Sequence, residues 1–111
     1  MSTIFGKIIA GKLPCDKVYE DENIIAFKDI APAAPVHILI MPKKEIYNLQ
    51  ALKKEDLHLI QEVIQVAQKL AKEYGIEEGY RLLTNNGSGA GQTVFHLHFH
   101  LIGGRQLHHL G

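Results

Sequence analysis

Three histidines alternate with large apolar residues near the carboxyl end of the chain, within the segment TVFHLHFHLIGG that spans residues 93–104. Alternation with a period of two is typical of a β-strand, in which successive side chains point to opposite faces of the sheet. We therefore predict a strand over residues 94–102, with its apolar side chains on the core. His96, His98 and His100 then share the other face, each about 6.7 Å from the next. Such a row could carry acid–base or nucleophilic chemistry, or could bind a metal.

The spacing alone does not separate metal binding from catalysis, because two histidines two residues apart on a strand can chelate zinc. The preceding turn, NNGSGAGQT, favours another ligand. Its small residues allow backbone amides to approach an anion, and Asn85, Ser88, Gln92 and Thr93 add side-chain donors. No cysteine and no obvious acidic ligand lies nearby. The neighbourhood therefore favours the oxyanion of a phosphate, although the turn matches neither of the common glycine-rich phosphate loops.

The bulk properties exclude several classes of protein. A length of 111 residues predicts a single domain, residues 1–111. The formal net charge of zero gives no global attraction to nucleic acid or anionic lipid. No segment approaches the roughly 20 apolar residues of a membrane-spanning helix, and the amino terminus lacks the basic start of a signal peptide. The single cysteine, Cys15, suits a reducing compartment, so we expect a cytoplasmic protein.

The first half of the chain predicts a short helix and three strands. Apolar spacing indicates a helix over residues 3–10, with Ser2 or Thr3 as its cap. KVYEDENIIAFKD, residues 17–29, is typical of a hairpin that turns near residues 21–23. IAPAAP is an extended connection, and the continuous apolar run VHILIM after it predicts a strand covered on both faces, ended by Pro42.

The second half predicts one long helix and two more strands. The segment 53–75 has helical spacing, and Gly75 is a natural end. YRLLTN, residues 80–85, predicts a strand before the glycine-rich turn. The sum is an α+β domain of about five mostly antiparallel strands with the long helix on one face. The residues expected on the apolar face of that helix are Leu57, Ile60, Val63, Ile64, Ala67, Leu70, Ala71 and Tyr74.

The segment HLHFHLI, residues 96–102, resembles the signature of the histidine triad (HIT) family. TIFGKII, AFKDIAPAAPVHILIMPKK, GYRLLTNNGSGAGQTVFHLHFH and GGRQL extend this resemblance over nearly the whole chain, in the histidine triad nucleotide-binding (Hint) branch. The resemblance implies a HIT-like fold and a homodimer in which two five-stranded sheets join into a ten-stranded one. It also implies a purine nucleotide pocket and the metal-free and cofactor-free hydrolysis of nucleoside phosphoramidates.

The resemblance also assigns roles to residues. His98 is the expected nucleophile on the α-phosphorus, His100 contacts the phosphate and assists proton transfer, and His96 and His37 support them. Asp29 is expected to bind the ribose hydroxyls, with a turn residue as the alternative interpretation. The positions expected around the base and ribose, some of which could be core, are Phe5, Ile8, Leu13, Ile30 and Leu39. The positions expected to hold the phosphate are Asn85, Gly91, Gln92 and Thr93, with the last two as the principal donors.

The chemistry explains why these residue types are needed. A neutral imidazole that attacks phosphorus forms a covalent nucleotidyl-histidine, and a backbone carbonyl on its second nitrogen would fix the required tautomer. An amine is a poor leaving group as an anion and needs a general acid.

Two departures from the family and two other functions bear on this interpretation. Paired cysteines that bind zinc in some relatives are missing, and the tail ends in HHLG without the aromatic residue that some relatives carry. We therefore expect no bound metal and a solvated tail. The alternatives are a noncatalytic purine-nucleotide-binding scaffold and a dinucleoside polyphosphate hydrolase of a sister branch, both of which an assay of turnover would separate from a phosphoramidase.

Overall fold

The sheet has five strands in the order β1-β2-β3-β5-β4, and each neighbouring pair is antiparallel. A computed structural model describes residues 3–110. Its strands are β1 (Lys17–Glu20), β2 (Ile24–Lys28), β3 (Val36–Pro42), β4 (Tyr80–Leu83) and β5 (Phe99–Gly103). Its α-helices are α1 (Ile4–Ile9) and α2 (Leu57–Glu73). The predicted α+β architecture is confirmed.

Local signals in the sequence account for most of the boundaries. The Thr3 hydroxyl accepts a hydrogen bond from the Gly6 backbone N–H at 3.1 Å, which makes Thr3 the cap of α1, whereas Ser2 lies outside the described residues. Asp21 turns the first hairpin, because its carboxylate accepts the backbone N–H groups of Asn23 and Ile24. Gly75, with a φ of 72°, follows the last turn of α2 and ends that helix as expected.

The two faces of the sheet are covered differently. Ile24, Ala26, Ile38, Ile40 and Leu101 point to one face and form the main core with α2. The other face presents Phe27, Leu39 and their neighbours to the short helix α1, through Phe5. The side chains of β3 are buried on both faces, as the continuous run VHILIM predicted.

The apolar stripe of α2 differs from the predicted one. Leu57 is 53% exposed and Ile64 is 45% exposed, and Tyr74 is also exposed. The helix is rotated about its axis so that Leu59 and Val66 are buried in the core. Together with Val63 and Leu70 they form one apolar stripe, because residues three or four positions apart lie on the same side of a helix. Within residues 3–110, no helix is long and apolar enough to cross a membrane.

The strand predicted over residues 94–102 is wrong in its first half, since β5 begins only at Phe99. The backbone of the preceding residues is satisfied away from the strand ladder. The Leu97 N–H donates to the Ile46 carbonyl at 2.6 Å, and the Thr84 hydroxyl donates to the His98 carbonyl at 2.7 Å. His96 and His98 therefore precede the strand, and only His100 lies on it.

Candidate functional site

A cavity of about 320 Å³ opens on the face of the sheet that carries α1. It lies over β2, β3 and β5 and is apolar at one end, where Phe5 and Ile8 of α1 meet Leu39 of β3. The residues that line it are Ile4, Phe5, Ile8, Phe27, Lys28, Asp29, Ile30, Leu39, Thr93, Val94, His98 and His100. Its size and its mixture of apolar walls with a few polar groups are typical of a small-molecule site.

His98 is held in one tautomer. Its Nδ1 lies 2.7 Å from the backbone carbonyl oxygen of His96, which can only accept, so Nδ1 carries the proton. Nε2 is then left with a lone pair. The edge of the Phe5 ring packs against the imidazole at a centroid distance of 4.9 Å. Burial lowers the pKa of His98 below its ordinary value of 6.5, which keeps the ring neutral at pH 7.

His100 is oriented by His37 from the adjacent strand. The Ala33 N–H donates to Nδ1 of His37 at 2.9 Å, so the His37 proton resides on Nε2. That Nε2 lies 2.9 Å from Nδ1 of His100 and donates to it. The remaining proton of neutral His100 is therefore on Nε2. Burial, followed by the neighbouring His98 and His37, lowers the pKa of His100 to about 4.

Asp29 follows β2 and has a carboxylate with two roles. Oδ1 accepts the Ala31 N–H at 2.8 Å, which makes Asp29 a turn residue. Oδ2 lies 3.4 Å from Nε2 of His37, and the residue also lines the cavity. The two interpretations of Asp29 are thus compatible, because each uses a different oxygen.

The donor atoms of Asp29, His37 and His100 lie within 4.8 Å of one another, which is close enough to surround a metal ion. The hydrogen-bonding pattern opposes this use. Because Ala33 donates to Nδ1 of His37, the nitrogen that faces the cluster is protonated and has no lone pair for a metal. Coordination through His37 would require the loss of that hydrogen bond. The cluster is better suited to hold protons than a cation.

His96 does not join the cavity, which corrects the prediction of three imidazoles on one face. Its ring is 1% exposed, and its Nε2 donates to the Pro42 carbonyl at 2.8 Å. Nδ1 is then a buried acceptor without a hydrogen-bond partner. Burial lowers the pKa of His96, so the ring stays neutral. The His96 side chain thus links the segment before β5 to the end of β3. Its backbone carbonyl accepts the hydrogen bond from Nδ1 of His98.

The glycine-rich turn is braced from within by Gln92. The Gln92 backbone N–H donates to the Gly87 carbonyl, and its side-chain oxygen accepts the Gly87 N–H at 2.8 Å. Its side-chain nitrogen donates to the carbonyls of Tyr47 and Val94. All the donors of Gln92 are therefore used inside the fold, and Gln92 does not line the cavity as a phosphate donor would.

Thr93, the next residue, does line the cavity. Its hydroxyl makes no hydrogen bond with another of the described residues, so it is available to a ligand. Asn85 and Gly91 are neighbours, since a Cβ added at Gly91 would lie 3.8 Å from the Asn85 amide nitrogen. Gly91 has a φ of 104°, a conformation that favours glycine, but neither residue is part of the cavity wall.

Leu13 does not line this cavity, and its contact with the base stays a prediction. It borders an adjacent cavity of about 360 Å³ that shares Ile8 with the first one and also includes Ile9, Cys15 and Ile25. The residue follows the turn after α1, so its direction depends on how the chain leaves that helix. Nothing in the local sequence specified that direction.

Some cavity residues were missed by the sequence analysis, although two of them had a signal. Ile4 precedes Ile8 by four residues and therefore shares its helical face. Phe27 pairs directly with Leu39 in the sheet and therefore points to the same side. Lys28 and Val94 also border the cavity, and no pattern in the sequence marked them.

Known protein families and related sequences both indicate the same family. The HIT domain model matches residues 10–107. An uncharacterized HIT-like protein of Chlamydia trachomatis is 54% identical over 104 residues, which cover 94% of this chain and 94% of the relative. A similar protein of Chlamydia muridarum is also 54% identical, over 94% of this chain and 82% of the relative.

Solved structures agree with the sequence comparison. A HIT family hydrolase from Clostridium thermocellum superimposes with a TM-score of 0.93 at 48% identity and covers 97% of this chain and 95% of its own. A HIT family hydrolase from Legionella pneumophila gives 0.92 at 47% identity, with 95% of both chains covered. A histidine triad nucleotide-binding protein from Candida albicans gives 0.82 at 32% identity, over 99% of this chain and 86% of its own.

Proposed function

Since this chain belongs to the HIT domain family, we propose that it is a purine nucleoside phosphoramidase of the Hint branch. The observation that carries this proposal is the tautomer of His98. The His96 carbonyl holds the proton on Nδ1, so the other nitrogen is a ready nucleophile at the wall of a cavity that also presents Asp29. The protein from Candida albicans is named for nucleotide binding, which supports the same class of ligand.

We assign the three parts of a nucleotide to successive parts of the cavity. The purine packs among the apolar side chains of Phe5, Ile8 and Leu39, and Ile30, which is 99% exposed at the rim, closes over it. The ribose hydroxyls donate to the Asp29 carboxylate. The α-phosphate then lies beside the histidines, where the Thr93 hydroxyl is available as a donor.

In the first step, Nε2 of His98 attacks the α-phosphorus and a P–N(imidazole) bond forms as the P–N(amine) bond breaks. The departing amine needs a proton. An anionic phosphate favours the protonated form of a nearby imidazole, so His100 takes up a proton on Nδ1 when substrate binds, which replaces the hydrogen bond from His37, and then passes its Nε2 proton to the amine. The charge that develops on His98 is stabilised by the His96 carbonyl.

In the second step, water attacks the phosphorus of the nucleotidyl-histidine and the bond to His98 breaks. One proton of the water goes to His100 and the oxygen stays on phosphorus, which yields the nucleoside 5′-monophosphate. His98 returns to its neutral form with the proton on Nδ1. No metal and no cofactor is required for either step.

A fluorogenic adenosine 5′-phosphoramidate, assayed in the presence of a chelator, tests the proposal. We expect amine release by the purified chain and much slower hydrolysis of diadenosine polyphosphate. Tight binding of AMP without any amine release would favour a noncatalytic scaffold, and faster cleavage of diadenosine polyphosphate would favour the sister branch. Loss of activity with chelator would contradict the metal-free mechanism.

The proposal includes a homodimer in the cytoplasm. The strand order leaves β4 at one edge of the sheet, so a second copy could add its own β4 and extend the sheet to ten strands. Leu57 and Ile64 leave apolar surface exposed on α2 that a partner could also cover. Light scattering after gel filtration tests this, and a monomer at micromolar concentration would contradict it.

A further inference from the structure

The chain leaves β5 through two glycines that bring it against the segment between β2 and β3. A Cβ added at Gly104 would lie 3.0 Å from Cβ of Pro35, and this glycine has a φ of 96°. At Gly103 an added Cβ would lie 2.9 Å from Cδ1 of Ile76. The position of Gly104 therefore favours glycine both for its φ and for its contact with Pro35, and a side chain at Gly103 would require Ile76 to move. The consequence is that the next residue, Arg105, arrives directly beside residues 29–35.

Arg105 uses this approach to hold the connection. Its Nη2 donates to the Ala33 carbonyl at 2.9 Å, and its Nη1 donates to the Gln106 carbonyl at 2.9 Å. Both of these hydrogen bonds end on backbone carbonyl oxygens.

The same residue that Arg105 holds also sets the tautomer of His37. The Ala33 N–H donates to Nδ1 of His37 at 2.9 Å, and Nε2 of His37 lies 2.9 Å from Nδ1 of His100. Three hydrogen bonds thus connect Arg105, which lies outside the cavity, with an imidazole at the cavity wall. Each is within the ordinary range for a protein hydrogen bond.

Residues 29–35 have few other restraints. They form no helix or strand, and their other hydrogen bonds in the described structure run from Asp29 to the His37 carbonyl and from Ala31 to the Asp29 carboxylate. Pro32 and Pro35 have no N–H to donate. The contact from Arg105 is therefore the hydrogen bond that ties the tip of this connection to the segment after β5.

We propose that Arg105 is a positioning residue for the reaction, which clamps Ala33 so that its N–H keeps the proton of His37 on the nitrogen that faces His100. Arg105 touches neither substrate nor the reacting atoms. The effect on turnover rests on the proposed function, because it acts through the proton transfer assigned to His100. The effect on the tautomer of His37 does not depend on any substrate.

The test compares Arg105→Ala and Arg105→Gln with Arg105→Lys, which keeps a charged donor. Arg81→Ala is the matched control. Arg81 and Arg105 both line a second cavity of about 310 Å³, but Arg81 donates to the His109 carbonyl in the tail. We expect the Ala and Gln variants to lower kcat about tenfold, from the loss of one charge-assisted hydrogen bond, with a change in KM of less than about threefold. Arg105→Lys should recover most of kcat, and Arg81→Ala should retain it.

Long-range ¹⁵N–¹H NMR of the imidazoles measures the tautomer of His37, which would not change if Arg105 had only a structural role. The wild-type chain should show His37 protonated on Nε2 alone, and Arg105→Ala should show a mixture of both tautomers while its thermal midpoint stays close to that of Arg81→Ala. An unchanged tautomer in Arg105→Ala, or equal kcat for Arg105→Ala and Arg81→Ala, overturns the proposal. If the wild-type chain has no phosphoramidase activity but the tautomer shifts as expected, the proposed function fails and the positioning contact stands.

Discussion

The two faces of the sheet are built from the same strands yet differ in what they are for. Towards α2, β2 and β3 present Ile24, Ala26, Ile38 and Ile40 to a dry apolar core. Towards α1, the alternate residues include His37 on β3 and His100 on β5, beside an open cavity. The face towards α2 is packed with apolar side chains at these positions, whereas the face towards α1 combines a smaller apolar cluster with buried titratable groups. The strand alternation thus places His37 and His100 on one face of the sheet.

The largest expected effect is the loss of turnover when the proposed nucleophile on the cavity face is removed. His98→Ala should lower phosphoramidate turnover by at least about a thousandfold, since it deletes the attacking nitrogen. AMP should still bind, because the apolar walls, Asp29 and Thr93 remain. Amine release and isothermal titration with AMP measure the two properties. Near-normal turnover in the variant would show that another residue is the nucleophile.

A paired substitution compares the core under α2 with the exposed rim of the cavity. Ile40→Ala, at a fully buried position against α2, should destabilise the chain by about 2–5 kcal/mol while the remaining folded protein keeps its kcat. Ile30→Ala, the same change at the exposed rim, should alter stability by less than about 0.5 kcal/mol. Urea unfolding and the KM of both variants provide the measurement. Equal destabilisation by both changes would contradict the burial of Ile40 in the core.

Lowering the pH should reduce the stability of the fold through the buried histidines. Burial lowers the pKa of His96 and His98, and burial with the neighbouring His98 and His37 lowers that of His100 to about 4. Between these values and the ordinary 6.5, the unfolded chain binds more protons than the folded one, so stability falls as the pH drops from 6.5 towards 4. Each histidine contributes at most about 1.4 kcal/mol per pH unit. Urea unfolding from pH 7.5 to 4.5 should show that the free energy of unfolding decreases with falling pH. His100→Asn should make this decrease smaller. An unchanged pH dependence in that variant would show that the burial of His100 does not contribute to it.

The smallest effect tests a single donor in the cavity. Thr93→Val keeps the shape of the side chain but removes the hydroxyl, and should lower kcat/KM about tenfold by the loss of one hydrogen bond to a charged group. Thr93→Ser retains the hydroxyl and should stay within about twofold of the wild-type chain. If Thr93→Val and Thr93→Ser behave alike, the hydroxyl does not contact the phosphate.

The histidine segment shows where inference from the sequence stopped. The period of two correctly placed Leu101 in the core and His100 on the opposite face, because those residues pair with β3 in a regular ladder. It failed for His96, whose backbone precedes the ladder and whose ring donates to a carbonyl 54 residues away in the chain. Periodicity describes a strand only where hydrogen-bonded neighbours exist, and local residues do not reveal where that pairing ends.

Gln92 and Leu13 illustrate the same limit for single side chains. Gln92 has the right chemistry for a phosphate donor, but its side-chain amide donates to the carbonyls of Tyr47 and Val94 instead. Leu13 has the right hydrophobicity for a base contact, but after α1 it borders the adjacent cavity that shares Ile8 with the candidate site. Residue type states what a group can do, and its competing partners in space determine what it does.

Turns, caps and apolar periodicity act over a few neighbouring positions, and they predicted most of the helices and strands and the α+β architecture. The resemblance to the HIT family, rather than any local pattern, indicated most of the residues that line the cavity. The tertiary structure decided which imidazoles meet and which nitrogen of each carries the proton. Those protons are placed by the His96 carbonyl on His98 and by the Ala33 N–H on His37, and His37 meets His100 across 63 residues of chain. Only the packed sheet brings such partners within hydrogen-bonding distance.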